Sequence, residues 1–351
     1  MTSPDQNQRV EESAVAIQSA RDTNINNGLS IGQMKEIIEA LSDQIPKYTA
    51  IAANIVEERL KEFEGRIVSR FEDDKALNRE AFKDPDFQYL LIESQKSFAR
   101  SGDADALRLL EELVAERSKA KSATRQALTI NRAVEITPLL TKEEIAHIAA
   151  CFAVRYVKLK CANDIDAIGR LYDEVLEPFI DNLSTDTQSV QYIESLGCGS
   201  TSIGSTAFLD ALFAEHPQLR RSGRKAADIV IEALPHFEQL AAAGIFQKHG
   251  DTFVSNESDF LRFKSAAINA GFAFDDAQLS SYFGSVSSTQ NRTDEELLTK
   301  LSETMPRVKE FASIWNEGRL KHLNLTLVGL AIGYISVKNF APLPSIDIWV
   351  S

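Results

Sequence analysis

From Ser30 onward, apolar residues recur with a period near 3.6, and short polar joints separate one such run from the next. The first run, "SIGQMKEIIEALSDQI", sets Ile31, Met34, Ile37, Ile38 and Leu41 on one stripe behind Ser30 as N-cap. Pro46 is expected to end this helix or open the next one, in which Ile51, Ile55, Leu60, Phe63 and Ile67 face inward. Asp84-Pro85 has the form of a helix start, Ser101-Gly102-Asp103 that of a turn, and Thr141 with Glu144 that of a capping box. A second helical region opens at "NDIDAIGRLYDEVLEPFIDNL".

Three places depart from the helical period. Ahead of Ser30, the stretch "AVAIQSARDTNINNGLS" alternates like a strand and ends in Asn27-Gly28, which suits a tight turn. The run "LAAAGIFQKHGDTFVSN" reads as helix, strand, a His249-Gly250-Asp251 turn and strand, the outline of a small wing. The closing "SIDIWVS" alternates and is expected to be a strand. The predicted fold is therefore mainly α, an irregular multi-helix assembly with a short N-terminal β arm, a wing-like β-hairpin and a C-terminal strand. Its parts are residues 1–28 (a flexible start and the arm), 29–160 (N-terminal helical domain) and 161–351 (C-terminal helical domain with the wing). No period of 20 to 50 residues recurs, which excludes a solenoid array.

Composition narrows the class. The chain has 351 residues, of which 44% are hydrophobic and 25% charged, the balance of a globular protein with a sizeable core. Its formal net charge of -13 argues against a general nucleic-acid binder, which needs surplus Lys and Arg on its binding face. Cys151, Cys161 and Cys198 form no CxxC pair and no zinc-like spacing, so a reducing, cytoplasmic setting is expected. The opening residues lack a signal-peptide pattern, and the longest apolar run, Leu325 to Val337, is too short to span a bilayer.

Candidate chemistry is sparse. "GCGSTSIGST" approaches a dinucleotide loop at Gly197 and Gly199, but Ser202 occupies the third glycine position and no Walker lysine follows. An inter-helix loop is the better reading. "RRSGRK" gathers Arg220, Arg221, Arg224 and Lys225 before a helix, where they could dock a phosphate or an acidic partner, or simply pair with nearby carboxylates. Asp173, Glu177 and Asp181 share one helical face, a ladder that binds a divalent ion only with further oxygen ligands. The five histidines show neither HxH nor HExxH spacing, and no GxSxG elbow is present. No catalytic residue, metal or cofactor is assigned.

"INNGLSIGQMKEI", "DPDFQYLLIESQKSFARSGD", "LVAERSK", "GCGSTSIGS" and "LTLVGLAIGYISVKN" followed by "IDIWVS" occur in this order. With these segments the chain resembles an uncharacterised bacterial family, the LPO/Vpar family, over nearly its whole length; the resemblance carries no activity. More weakly, the helical body with "LAAAGIF" and a later "LTLVGLAIG" is similar to abortive-infection alpha-type proteins, in which such signals frame a winged-helix-like unit. That likeness implies antiviral defence as a context. The function expected is a non-enzymatic interaction or regulatory protein, acting through protein contacts and self-assembly. The alternative is an enzyme or sensor binding a nucleotide or phosphate at the glycine-rich and basic loops. A lone β arm is marginal by itself, so Ile17, Thr23 and Ile25 are expected either to complete a sheet across subunits or to pair with the body of their own chain.

Overall fold

The structure is a computed structural model that describes residues 31–158, 164–257 and 259–350. The expected β arm, with Ile17, Thr23 and Ile25, lies outside the described residues, as does Cys161. The chain falls into two units, Met1–Glu58 and Arg59–Ser351. Helix α1 (Ile31–Asp73) contributes residues to both and runs without a break through Pro46, where an end had been expected.

In the second unit, α2 (Pro85–Ser101) starts as its sequence suggests: the Asp84 carboxylate accepts the Asp86 N–H at 3.1 Å, and Pro85 takes the first helical turn. Helices α3 (Ala104–Lys119) and α4 (Arg125–Ile136) follow, capped by Asp103 and Thr124. Helix α5 (Lys142–Tyr156) carries the Thr141–Glu144 capping box. Helices α6 (Ile165–Ile180) and α7 (Thr187–Ser195) precede the short strand β1 (Gly199–Thr201) and helix α8 (Phe208–Leu212).

The next stretch holds β2 (Arg224–Lys225), α9 (Leu234–Ala242), β3 (Phe246–His249) and β4 (Thr252–Ser255), then α10 (Phe260–Asn269) and α11 (Asp276–Ser287). The wing-like hairpin is present as β3 and β4, paired from Phe246–Ser255 to His249–Thr252. Strand β2 adds to its far side, giving the antiparallel order β2-β4-β3. Phe237, Phe246, Phe253, Phe263 and Tyr282 close a small aromatic core of its own beneath this sheet. Gly223 is required at its edge: its φ is +80°, and a Cβ there would come within 2.7 Å of the Phe253 carbonyl oxygen.

The chain then returns to the main core through α12 (Asp294–Leu301), α13 (Val308–Glu317), β5 (Leu323–Leu325), α14 (Leu327–Val337) and α15 (Asp347–Val350). Helix α14 is apolar on all sides because it is the centre of the unit, packed on α5, α4 and α3. Gly333 permits the close approach: a Cβ there would lie 2.6 Å from that of Phe152. One hydrophobic core joins residues from Phe63 to Val350. Among the described residues, no helix is long and apolar enough to cross a membrane.

Two expectations are corrected. The C-terminal segment is a helical turn, not a strand: Ile346 and Val350, four residues apart, are both buried, while Ile348 is 66% exposed. A strand would place all three on one face. The inward face predicted around residue 51 is also different, since Ile51 and Ile55 are exposed and burial starts only at Phe63.

Candidate functional site

Gly197 and Gly199 lie just past the end of α7 and at the start of β1. Gly197, at φ +75°, closes α7, and its carbonyl accepts the Thr326 hydroxyl at 2.7 Å. The Cys198 carbonyl accepts the Thr326 N–H, and β1 pairs with β5 from Gly199–Leu325 to Thr201–Leu323. The Thr201 N–H is taken by the Glu194 carboxylate. Phosphate loops offer a row of free N–H donors, whereas here the Gly197 and Cys198 carbonyls face the N-terminus of α14 and the N–H groups of Thr201, Ser202 and Thr206 are bonded within the fold.

Two of the four cations of the basic loop, Arg220 and Arg224, are held by their side chains. Arg220 pairs with Asp210 and, at 3.0 Å, with Asp294. Arg224 donates from Nε and Nη2 to the Asp228 carbonyl at 3.2 and 2.8 Å. Arg221 forms a backbone bridge with Asn291, and Lys225 is exposed. The partners of these residues and those of the glycine-rich loop do not overlap.

Beside that loop lies a cavity of about 310 Å³, between α6, α12 and the wing sheet. Arg292 organises it: Nη1 donates to the Leu219 carbonyl at 2.9 Å and to that of Arg221 at 2.6 Å. Burial pushes the Arg292 guanidinium below its usual range, and the Glu296 charge offsets part of this. Lys300 reaches Asp166 at 3.3 Å and Glu303 at 2.5 Å, and the hydrogen bond to Glu303 raises its pKa. Asp164, Ser222 and Gln247 complete the polar lining. Three carboxylates and two cations give the cavity both signs of charge. Sequence reasoning missed it because its residues come from separate elements; of its lining, only Ser222 sits in a stretch with a ligand-binding pattern.

The remaining candidates are absorbed by the fold. Arg307 binds Asp181 at 2.8 Å and Glu177 at 3.5 Å, so two of the three ladder carboxylates share one cation. Asp173 is pushed up by burial and by the charges of Glu177 and Glu174. Among the described residues, no group of three or more His, Cys, Asp and Glu could hold a metal ion. Burial pushes the Cys151 thiol up to about 12 and that of Cys198 to about 11, so neither is poised as a nucleophile. The buried His147 ring spans the carbonyls of Glu143 (2.8 Å) and Ser184 (3.2 Å), and the His236 Nδ1 meets the Tyr282 hydroxyl at 2.6 Å.

A family model matches residues 28–350, nearly the full length. The chain belongs to this family, the uncharacterised bacterial LPO/Vpar family. No curated protein and no solved structure matches the chain. Membership in the LPO/Vpar family therefore places the chain among relatives without assigning it a reaction.

Proposed function

We propose that this LPO/Vpar protein is a non-enzymatic interaction protein of bacterial antiviral defence, working through protein contacts and self-assembly. The observation that carries the reading is on the wing-bearing part of the chain. Val230 and Ile231, in the turn ahead of α9, are 68% and 83% exposed, large adjacent apolar side chains set in water. Such groups mark contact surfaces when they cluster. The neighbouring exposed positions of α9, Pro235, Glu238, Gln239 and Ala242, include no cation. A helix that enters a nucleic-acid groove presents Lys and Arg, so a protein surface fits better.

The test is phage protection in bacteria expressing the chain or its Val230→Asp/Ile231→Asp variant. Protection by the parent and its loss in the variant, at unchanged melting temperature, supports the reading. Equal protection by both, or none by the parent, overturns it.

A second reading rests on the cavity. Arg292 and Lys300 beside the basic loop favour a small polar ligand, including a nucleotide or phosphate. Thermal-shift titration with inorganic phosphate and with nucleoside mono- and triphosphates tests it. A saturable upward shift that Lys300→Ala removes supports it; no shift with any of them rules it out. Loss of binding in Arg220→Ala/Arg221→Ala would extend the site to the basic loop.

A further inference from the structure

Helix α1 changes its repeat part-way along. From Ile31 the apolar positions step by three and four in strict alternation: Ile31, Ile38, Ile45 and Ala52 take position a of a heptad. Met34, Leu41, Tyr48 and Ile55 take position d. That is a 3.5-residue period held for three and a half heptads, the length and spacing of a coiled-coil seam. The next a position is Arg59, and there the seam ends. Beyond it the apolar series moves one place, to Leu60, Phe63 and Ile67, and Phe63 and Ile67 are buried in the core of their own chain.

Every described side chain from 47 to 58 is exposed, including Ile51 at 49%, Ile55 at 42% and Val56 at 38%. We infer that this seam is covered by the same helix of a second copy of the chain, parallel and in register. The inference rests on the self-assembly proposed above and names its surface.

Three features select that occupant. Ile holds three of the four a positions, and where Leu41 takes d the combination is the one that selects two parallel strands. Pairing each g residue with the e residue five places on in the other copy sets Ile51 against Val56, Gln44 against Thr49 and Ile37 against Ser42. No pair has like charges, and the apolar pair joins two side chains that are exposed in one copy. Of the charged residues, Glu36, Glu39, Asp43, Lys47 and Glu57 take b, c or f positions of the heptad, as does Pro46, while Lys35 takes e and Glu58 takes g. Among the large aliphatic residues of the 30 ahead of the seam, Val10 and Ile17 stand one heptad apart, but Val15, Ile25 and Leu29 break the spacing. The pattern that fits the seam is the seam itself, as a two-fold interface requires.

Light scattering on the full chain tests this. The parent is expected at twice its 38.9 kDa chain mass. Leu41→Glu/Ile55→Glu should halve that mass with the melting temperature of the body unchanged. Ala50→Glu/Ala53→Glu, which adds the same two charges at the outer f and b positions, should leave it doubled, as should removal of residues 1–28. A dimer that survives Leu41→Glu/Ile55→Glu but is lost with residues 1–28 overturns the seam and leaves self-assembly standing through the N-terminal arm. A parent mass of one chain overturns both. Equal loss of mass in the outer-face variant overturns the seam as well.

Discussion

The two halves of α1 both carry a stripe of large apolar residues, and the two stripes have opposite fates. In the trailing half, Phe63, Ile67 and Phe71 are buried, and Phe71 packs edge-on to Phe82 and Phe87 at 5.0 and 6.4 Å. In the described part of the leading half, Ile51, Ile55 and Val56 face water. Hydrophobicity alone does not separate them; the period does. A 3.5-residue repeat stays on one narrow line that a matching helix covers, whereas the wider stripe that follows suits several elements of one core. The lesson is that a stripe identifies a buried face without saying which chain buries it.

The comparison breaks most sharply at Phe63. Phe63→Ala should lower the unfolding free energy by about 3–5 kcal/mol, the range for an emptied aromatic site, as read by urea denaturation. Next comes the polar anchoring of the trailing half. The Arg59 Nη1 donates to the carbonyls of Ala99 and Arg100, at 2.8 and 3.0 Å, satisfying the C-terminal end of α2. Arg59→Ala is expected to cost about 1–2 kcal/mol by the same measurement.

The same half is held electrostatically. Arg70 meets Glu112 at 3.4 Å, and Lys338 of α14 binds that carboxylate from the other side. Burial pushes the Glu112 pKa up, but the Lys338 hydrogen bond and the charges of Lys338 and Arg70 outweigh it, so the net shift is downward. A carboxyl with a lowered folded-state pKa contributes stability that is complete above the unfolded value, about 4.3 for glutamate. That contribution is lost as pH falls through the lowered value. Denaturation followed from pH 6 to pH 3 should therefore be less steep in Glu112→Gln than in the parent.

Two smaller effects sharpen the contrast. Gly65 is exposed in mid-helix with nothing within 4 Å of an added Cβ, so Gly65→Ala should raise stability by about 0.5–1 kcal/mol. Ile55→Ala should change the unfolding free energy by less than about 0.5 kcal/mol when the protein is dilute, because its side chain is not part of its own chain's core. An effect at Ile55 as large as that at Phe63 would erase the distinction.

Much of the fold was legible wherever local chemistry decides it. Asp84-Pro85, Asp103 and the Thr141–Glu144 box begin helices as their side chains dictate, and Gly250 turns the wing hairpin. Errors arose where distant partners decide. "IDIWV" alternates, yet Ile346 and Val350 find one buried side as a helical turn, and the Trp349 indole donates to the Tyr156 carbonyl at 3.2 Å. Proline disfavours helix interiors and so signals a break at Pro46, but α1 continues through it. The glycine-rich loop resembled a ligand loop in composition, while its role, pairing β1 with β5 across more than a hundred residues, has no local signature. The cavity was illegible for the same reason: Arg292, Lys300 and Asp166 meet only after folding.

The most direct measurement of the central claim is hydrogen exchange along α1 at several protein concentrations. Amides of residues 47–58 are expected to gain protection as concentration rises, while those of 60–71 stay protected throughout. Exchange at 47–58 that is independent of concentration, whether fast or slow, would contradict the assignment of this half of the helix to a second copy.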